Sequence, residues 1–165
     1  MAVLRILGID PGTQVVGYAC LEAVVREVCS LAATEAPMVQ RASNLVVRRG
    51  GHGPATLLAA GSLELGGRKV SLPARLHRLA GALDELIERF APAELALEEA
   101  FFGKSVQAAL RIGEARGVVL AVARGHGLSI HQYPPAKIKR AVTGRGSATK
   151  EAVAAMAGQL LSSAP

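Results

Sequence analysis

Residues 3–21 read VLRILGIDPGTQVVGYACL, which is two apolar runs on either side of a Pro-Gly turn. Val3–Ile9 has the composition of a buried strand, and Val15–Leu21 is expected to return beside it as the second strand of a hairpin. Asp10 therefore lies at the open end of a buried strand. Because a carboxylate loses solvation there, Asp10 is a candidate ligand of a divalent metal ion; the alternative is an Asp that only starts the turn by bonding to its own backbone.

The length and composition are those of one globular domain. The chain has 165 residues, half of them hydrophobic, and no uncharged apolar segment approaches the roughly 18 residues that span a bilayer. Arg5 lies inside a strand pattern rather than ahead of a signal-peptide core. Cys20 and Cys29 form no CxxC pair, and the histidines lack metal-ligand spacing. We therefore expect a soluble, cytoplasmic protein with no membrane partner, whose reduced thiols pack in the core.

Positive charge is concentrated in the last third of the chain. Residues 101–165 contain nine Lys or Arg residues and two acids, a net charge of +7, whereas residues 1–100 carry −1. A polyanion that meets several cations gains by counterion release, which favours nucleic acid as the partner; an acidic protein is the alternative. Because only 3% of residues are aromatic and Trp is absent, extensive stacking on single-stranded bases is not expected. We therefore expect contact with the backbone of a duplex.

The remaining sequence alternates strand and helix patterns. Residues of about 23–56, which include Arg48-Arg49, are rich in Arg, Gly and small residues at their centre and are expected to form an insertion or flexible loop. The other expected elements are a strand at Leu57–Leu65, a helix opened by Pro73, a strand at Glu94–Glu98, a helix from about Ser105 to Arg124, a strand at Leu128–Gln132, a helix starting at Pro134-Pro135, and a final helix that Ser147 caps and that runs to Leu161. This order predicts an α/β protein.

Two helices have informative faces. In the helix opened by Pro73, leucines recur every three or four residues and cover one sheet face, with Arg75 and Arg78 on the polar side. In the next helix, Val106, Leu110, Gly113, Gly117 and Leu120 share one face. The Gly113–Gly117 pair permits a close approach of another backbone, either the sheet of this chain or a second copy across a dimer interface.

Glu98 has the same character as Asp10. It also ends an apolar strand just before a turn, and the ends of parallel neighbouring strands lie on one edge of a sheet. Two carboxylates at adjacent strand ends could hold Mg²⁺ or Mn²⁺ together with phosphate oxygens, as phosphodiester cleavage requires. The alternative is that Glu98 is a surface acid paired with a Lys or Arg. Glu99 alternates to the other face and is expected to be solvated.

Four segments carry a resemblance to a known family. They are GIDPGTQVVGY (8–18), ALEEAFFGK (96–104), GEARG (113–117) and KIKRAVTGRGSATK (137–150). In this order and at this spacing they resemble the RuvC family of Holliday-junction resolvases. The resemblance covers most of the chain apart from about residues 23–56.

The resemblance implies a ribonuclease H-like fold, with a mixed five-stranded sheet and helices on both faces, as a single nuclease domain over residues 1–165. It implies a homodimer that resolves four-way DNA junctions by symmetric nicking during recombination and repair, with two Mg²⁺ or Mn²⁺ ions per site and a RuvA–RuvB branch-migration complex as partner. Asp10 and Glu98 match the first two metal-binding catalytic acids, and Lys150 matches a catalytic lysine. The expected DNA-contacting residues are Phe101, near the scissile position, and Lys104, Lys137, Lys139, Arg140, Arg145 and Lys150.

The resemblance further implies a second pair of acids on a C-terminal helix, and the sequence up to Pro165 contains no such pair. With two acids instead of four, weaker metal binding is expected. One alternative is therefore a catalytically impaired module that binds junctions. Another is an actin-like domain that uses the Asp10–Thr13 turn to hold a nucleotide phosphate, although such proteins need two domains of this kind.

Overall fold

The computed structural model describes residues 2–25, 55–99 and 105–162. In these ranges it contains one five-stranded sheet, in the order β3-β2-β1-β4-β5, and four helices. The elements are β1 (Ala2–Asp10), β2 (Val15–Val25), β3 (Thr56–Glu64), α1 (Leu72–Phe90), β4 (Glu94–Glu98), α2 (Val106–Gly125), β5 (Ser129–Tyr133), α3 (Pro135–Thr143) and α4 (Lys150–Ser162). No helix in the described ranges has both the length and the apolar character needed to cross a membrane.

The sheet mixes antiparallel and parallel pairs, as predicted. β1 pairs antiparallel with β2, and β2 antiparallel with β3. β1 pairs parallel with β4, with Ile9 opposite Leu97, and β4 pairs parallel with β5, with Glu98 opposite Tyr133. The C-terminal ends of β1, β4 and β5 therefore meet at one edge of the sheet.

The hydrophobic core lies between one face of the sheet and helices α1 and α2. Along β1 and β4, side chains alternate, so that Leu7 and Ile9 are buried in the core whereas Asp10 is exposed. The buried residues from the sheet and the two helices include Leu7, Ile9, Leu95, Leu97, Leu79, Leu83, Ala115, Val119 and Ala123. Helix α3 lies on the other side of the sheet, where its residues line a cleft with Asp10 and Glu98.

Two predicted boundaries need correction. β2 does not end at Leu21 but continues to Val25, because its last residues pair with Ala2–Leu4 of β1. The insertion expected at about residues 23–56 stays a prediction, because residues 26–54, with Cys29 and Arg48-Arg49, lie outside the described residues. Helix α4 begins at Lys150, and its first turn is capped by Thr149 Oγ1, which accepts from the Ala152 N–H. Ser147 does not cap it, because Ser147 lies in the turn closed by the Ala148 N–H and the Arg145 carbonyl.

Two predicted helix faces also differ. Arg75, predicted on the polar side of α1, is only 6% exposed, because its guanidinium reaches the turn after β1. On α2 the face of Gly113 and Gly117 is exposed, and a Cβ at either glycine would meet nothing within 4 Å. The opposite face of α2 packs in the core, so the predicted packing of this glycine pair on the sheet is wrong.

Candidate functional site

Asp10 and Glu98 lie side by side at the ends of two parallel strands. They follow the register pair Ile9–Leu97, and neighbouring strands are about 4.8 Å apart. Both point to the face opposite the core, since Ile9 and Leu97 are buried in it. On the other side of Asp10, its register partner is Gly17, where a Cβ would lie 3.5 Å from the Asp10 Cβ. The absence of a side chain at Gly17 leaves open space beside the Asp10 carboxylate.

The turn after Asp10 has a tight backbone. A Cβ on Gly12 would lie 2.1 Å from the carbonyl oxygen of Val15, so only glycine allows the chain to return this closely. From the helical layer, Arg75 Nη1 donates a hydrogen bond of 2.6 Å to the Thr13 carbonyl. The turn that follows the Asp10 carboxylate is therefore held on its inner side by a buried guanidinium.

The peptide group after Glu98 is held on both sides. The Glu99 N–H donates to the Tyr133 carbonyl at 2.9 Å, which extends the β4–β5 pairing past Glu98. Arg116, from α2, donates through Nη1 to the Glu98 carbonyl and through Nη2 to the side-chain oxygen of Gln132. The end of β4 is thus fixed by β5 and by a side chain from the core face.

Nearby charges and burial shift the pKa of Glu98. Burial and the nearby Asp10 carboxylate raise the pKa of Glu98 above its ordinary value, whereas Lys150, Lys139 and Arg116 lower it. Two carboxylates that repel each other, flanked by cationic side chains, form a set of hard oxygen donors that suits a divalent cation.

The donor set for such a cation is small. In the part of the chain that the structure describes, no group of three or more His, Cys, Asp or Glu residues could hold a metal ion. Mg²⁺ commonly binds one or two carboxylates and completes its shell with water and substrate phosphate oxygens. The residues present therefore fit a divalent cation that also needs ligands from solvent and substrate.

A cleft of about 710 Å³ opens beside the carboxylates. Small residues, Gly8 and Ala96, line its floor, and α3 contributes one wall that includes Lys137 and Ile138. Tyr133 also lines the cleft, and Lys137 Nζ lies 5.4 Å from the centroid of its ring. This contact brings a cation to the same cleft as the two acids.

The structure brings together some of the predicted site residues and not others. Lys139 and Lys150 act on the Glu98 carboxylate, and Lys137 lines the cleft. Arg140, on α3, and Arg145, in the loop that follows, are exposed. Phe101 and Lys104 lie outside the described residues.

Sequence reasoning missed the roles of three residues. The sequence pattern places Arg75 on the polar side of α1 and gives no signal for Tyr133, which follows the predicted fifth strand. Arg116 was recognised only as part of the GEARG segment, which was the available signal for it. Arg75 and Arg116 make their contacts with elements distant in sequence, so no local pattern reveals them, whereas the Tyr133 ring contacts Lys137 of the next helix.

Comparison with curated proteins identifies relatives along almost the whole chain. A family model described as crossover junction endodeoxyribonuclease RuvC matches residues 35–164. RuvC of Methylococcus capsulatus is 32% identical over 160 residues, which are 97% of this chain and 79% of that protein. RuvC of Dehalococcoides mccartyi is 36% identical over 158 residues, which are 96% of this chain and 79% of that protein.

Comparison with solved structures gives the same family. The Thermus thermophilus RuvC structure matches with a TM-score of 0.72 and 27% identity, over 98% of this chain and 84% of that chain. Thermus thermophilus RuvC in complex with Holliday junction substrate matches with a TM-score of 0.73 and 27% identity, over 98% and 83%. The yeast mitochondrial Holliday junction resolvase Ydc2 shares the fold at 12% identity, with a TM-score of 0.57 over 96% and 64%. The predicted ribonuclease H-like fold is confirmed, and the chain belongs to the RuvC family of crossover junction endodeoxyribonucleases.

Proposed function

We propose that this protein resolves Holliday junctions by nicking two strands symmetrically, with Mg²⁺ or Mn²⁺ held by Asp10 and Glu98. The observation that carries the proposal is the pair of carboxylates at the ends of β1 and β4, with Lys139 and Lys150 close enough to lower the pKa of Glu98. Membership of the RuvC family supports the same reaction. By resemblance to the RuvC family, we further infer that the protein acts in the cytoplasm.

The side chains of the cleft have distinct tasks in this reaction. Asp10 and Glu98 would hold and orient the cation, which when bound supplies a Lewis acid for the phosphate and lowers the pKa of the attacking water. Lys150 and Lys139 carry positive charge beside Glu98, where they would offset the charge that develops on the phosphate. Tyr133 and Lys137 line the cleft near α3, where the Lys137 ammonium would add positive charge beside a bound phosphate. The protein thus contributes orientation and charge at the scissile phosphate.

The basic residues of the last third provide the DNA-contacting surface in this proposal. Lys137, Lys139, Arg140, Arg145 and Lys150 lie on α3, on the loop after it and at the start of α4. Cations distributed along consecutive elements suit the phosphates of a duplex arm rather than individual bases. By resemblance, Phe101 would engage the junction near the scissile position, and Lys104 would contact phosphate.

We propose that a second copy of the chain packs against the exposed face of α2. Val106 and Leu110 are 76% and 66% exposed, and they share their face with the exposed glycines Gly113 and Gly117. An apolar stripe with small residues allows two helices to approach closely. A dimer through this face would provide the two active sites that symmetric nicking requires. A RuvA–RuvB complex remains a further partner proposed by resemblance.

A labelled synthetic four-way junction tests the proposal. Incubation of the chain with this junction and Mg²⁺ or Mn²⁺ should give paired nicks, and none in EDTA. Asp10→Asn should abolish nicking and retain junction binding, because it removes a cation ligand and reduces repulsion with phosphate. Asp84→Asn is the matched control, since Asp84 lies on α1 and pairs with His126.

Three other outcomes would contradict the proposal. Junction binding without nicks in any divalent metal would replace the nuclease with a junction-binding module. ATP hydrolysis without junction binding would favour the actin-like alternative. Nicking by Asp10→Asn at the wild-type rate would exclude Asp10 as a required ligand.

A further inference from the structure

We propose that Arg116 and Arg75 are positioning residues, which set the spacing of Glu98 and Asp10 from the helical side of the sheet. The inference rests on the proposed function, because it assigns these arginines a role at the same pair of carboxylates. Arg116 donates to the backbone carbonyl of Glu98 itself, and Arg75 donates to the carbonyl of Thr13 in the turn that follows Asp10. Neither lines the cleft, so their effect on the reaction would be indirect.

Arg116 replaces a hydrogen bond that the sheet itself cannot make. The Glu99 N–H points to β5, where it bonds to Tyr133, so the Glu98 carbonyl on the other side of this peptide points toward β1. In a parallel ladder with this register, its donor would be the residue after Asp10. That residue is Pro11, which has no N–H. Arg116 supplies the donor instead, and its second bond, to Gln132, ties the end of β4 to β5.

Arg75 holds the turn after Asp10 in a comparable way. Its side chain is buried, and its Nε atom has no hydrogen-bond partner in the described part of the chain. Burial of a charged group with an unsatisfied donor is unfavourable for stability. The hydrogen bond to the Thr13 carbonyl partly satisfies this buried guanidinium, and it anchors the turn next to Asp10.

The spacing of the two acids needs such support. Asp10 and Glu98 repel each other, and this repulsion favours a wider separation of the two strand ends before a cation binds. Mg²⁺ demands near-ideal octahedral geometry at about 2.0–2.1 Å, so a small displacement of one carboxylate weakens binding. Backbone anchors on the helical side of the sheet resist this displacement without occupying the substrate's side.

The test measures cation binding directly, with Mn²⁺ as the probe. We would titrate the intact chain with Mn²⁺ and follow free Mn²⁺ by electron paramagnetic resonance, for wild type, Arg116→Met, Arg116→Lys and Arg75→Met. Arg124→Met is the matched control, because Arg124 is an exposed arginine in the last turn of the same helix as Arg116. Loss of a group that orients a metal ligand typically weakens metal affinity about 10- to 100-fold.

We expect this weakening for Arg116→Met and Arg75→Met, a smaller loss for Arg116→Lys, whose single ammonium nitrogen replaces the two that Arg116 uses, and none for Arg124→Met. Junction affinity in EDTA should stay at the wild-type value, and the nicking rate at saturating junction should fall. If Arg116→Met does not fold, Gln132→Leu removes the second acceptor of Arg116 and should weaken Mn²⁺ binding to an intermediate degree. Thermal unfolding in EDTA would show which variants are folded.

The outcomes separate the inference from the proposed function. Wild-type Mn²⁺ affinity in folded Arg116→Met and Arg75→Met would overturn the inference, even if the wild type nicks junctions. Weakened Mn²⁺ binding in these variants, with no nicking by the wild type, would support the inference and contradict the proposed function. Equal weakening by Arg124→Met would also overturn the inference, since it would show a non-specific effect of altering α2.

Discussion

Glu98→Gln should stabilise the metal-free protein at neutral pH. The substitution keeps the size of the side chain and removes a carboxylate that is partly buried beside Asp10. Burial and the Asp10 charge both disfavour the ionised form of Glu98, and Lys150, Lys139 and Arg116 compensate in part. A residue selected for stability alone would not be a carboxylate at this position.

The size of the effect follows from the strand spacing. Two unit charges on neighbouring strands, about 5 Å apart, repel by roughly 1 kcal/mol in water and roughly 3 kcal/mol at an effective dielectric constant of 20. The three nearby cations cancel part of this repulsion. We therefore expect Glu98→Gln to raise the free energy of unfolding by about 1 kcal/mol, which corresponds to a Tm increase of roughly 2–4 °C for a domain of this size.

The pH dependence has a definite sign. The folded-state pKa of Glu98 lies above its ordinary value of 4.5. Below that ordinary value Glu98 is protonated in both the folded and the unfolded state, so its ionisation contributes nothing to the difference in stability between the wild type and the variant. As the pH rises through 4.5 toward the raised folded-state pKa, the unfolded state loses its proton first, and the fold becomes less stable. The advantage of Glu98→Gln should therefore be small near pH 4 and larger at pH 7.5.

Thermal unfolding in EDTA at both pH values measures this advantage. Glu99→Gln is the matched control, because Glu99 is exposed and a surface substitution should stay within about 0.5 kcal/mol. Added Mg²⁺ at ten times its Kd should stabilise the wild type by about 1.4 kcal/mol and the variant by much less. A lower Tm for Glu98→Gln at pH 7.5, or the same gain at pH 4, would refute the reasoning.

Three further predictions concern other parts of the molecule. Lys139→Ala and Lys150→Ala should each reduce the salt slope of junction binding by about 1, measured by filter binding at several salt concentrations; an unchanged slope would exclude direct phosphate contact. Gly12→Ala should destabilise the fold by about 1–3 kcal/mol in denaturant unfolding, whereas Gly81→Ala, on an open surface of α1, should not. Gly117→Glu should lower the dimer fraction in analytical ultracentrifugation without changing Tm, and an unchanged sedimentation coefficient would exclude this face as the interface.

The sheet and its helices could be predicted because each has a local signal. Alternating or continuous apolar runs indicated the five strands, and Pro73 and Pro135 mark helix starts that the structure confirms within one or two residues. The side-by-side arrangement of Asp10 and Glu98 followed from two strand ends and the geometry of a parallel pair. For the same reason, the sequence alone could predict that these two carboxylates suit a divalent cation.

Tertiary contacts explain the predictions that failed. Helix α2 has apolar or small residues on all sides, so periodicity could not choose between the face of Gly113 and the face of Val119, and the structure buries the latter. Arg75 resembled a solvated residue, because the Thr13 carbonyl that it reaches is 62 residues away in sequence. Thr149 rather than Ser147 caps α4, because Ser147 lies in the turn that precedes the helix.

The departures from local expectation cluster around the carboxylate pair. Asp10 is followed by a proline that removes a ladder donor, Glu98 is an acid beside an acid, and Arg75 is a buried cation with an unsatisfied Nε. Each of these features by itself would reduce the stability of the fold. Each is explained if this edge of the sheet binds a cation and a phosphate. Natural proteins depart from local rules of sequence and structure mainly at functional sites. The convergence of these departures on one sheet edge argues for a reactive site there more strongly than either carboxylate does alone.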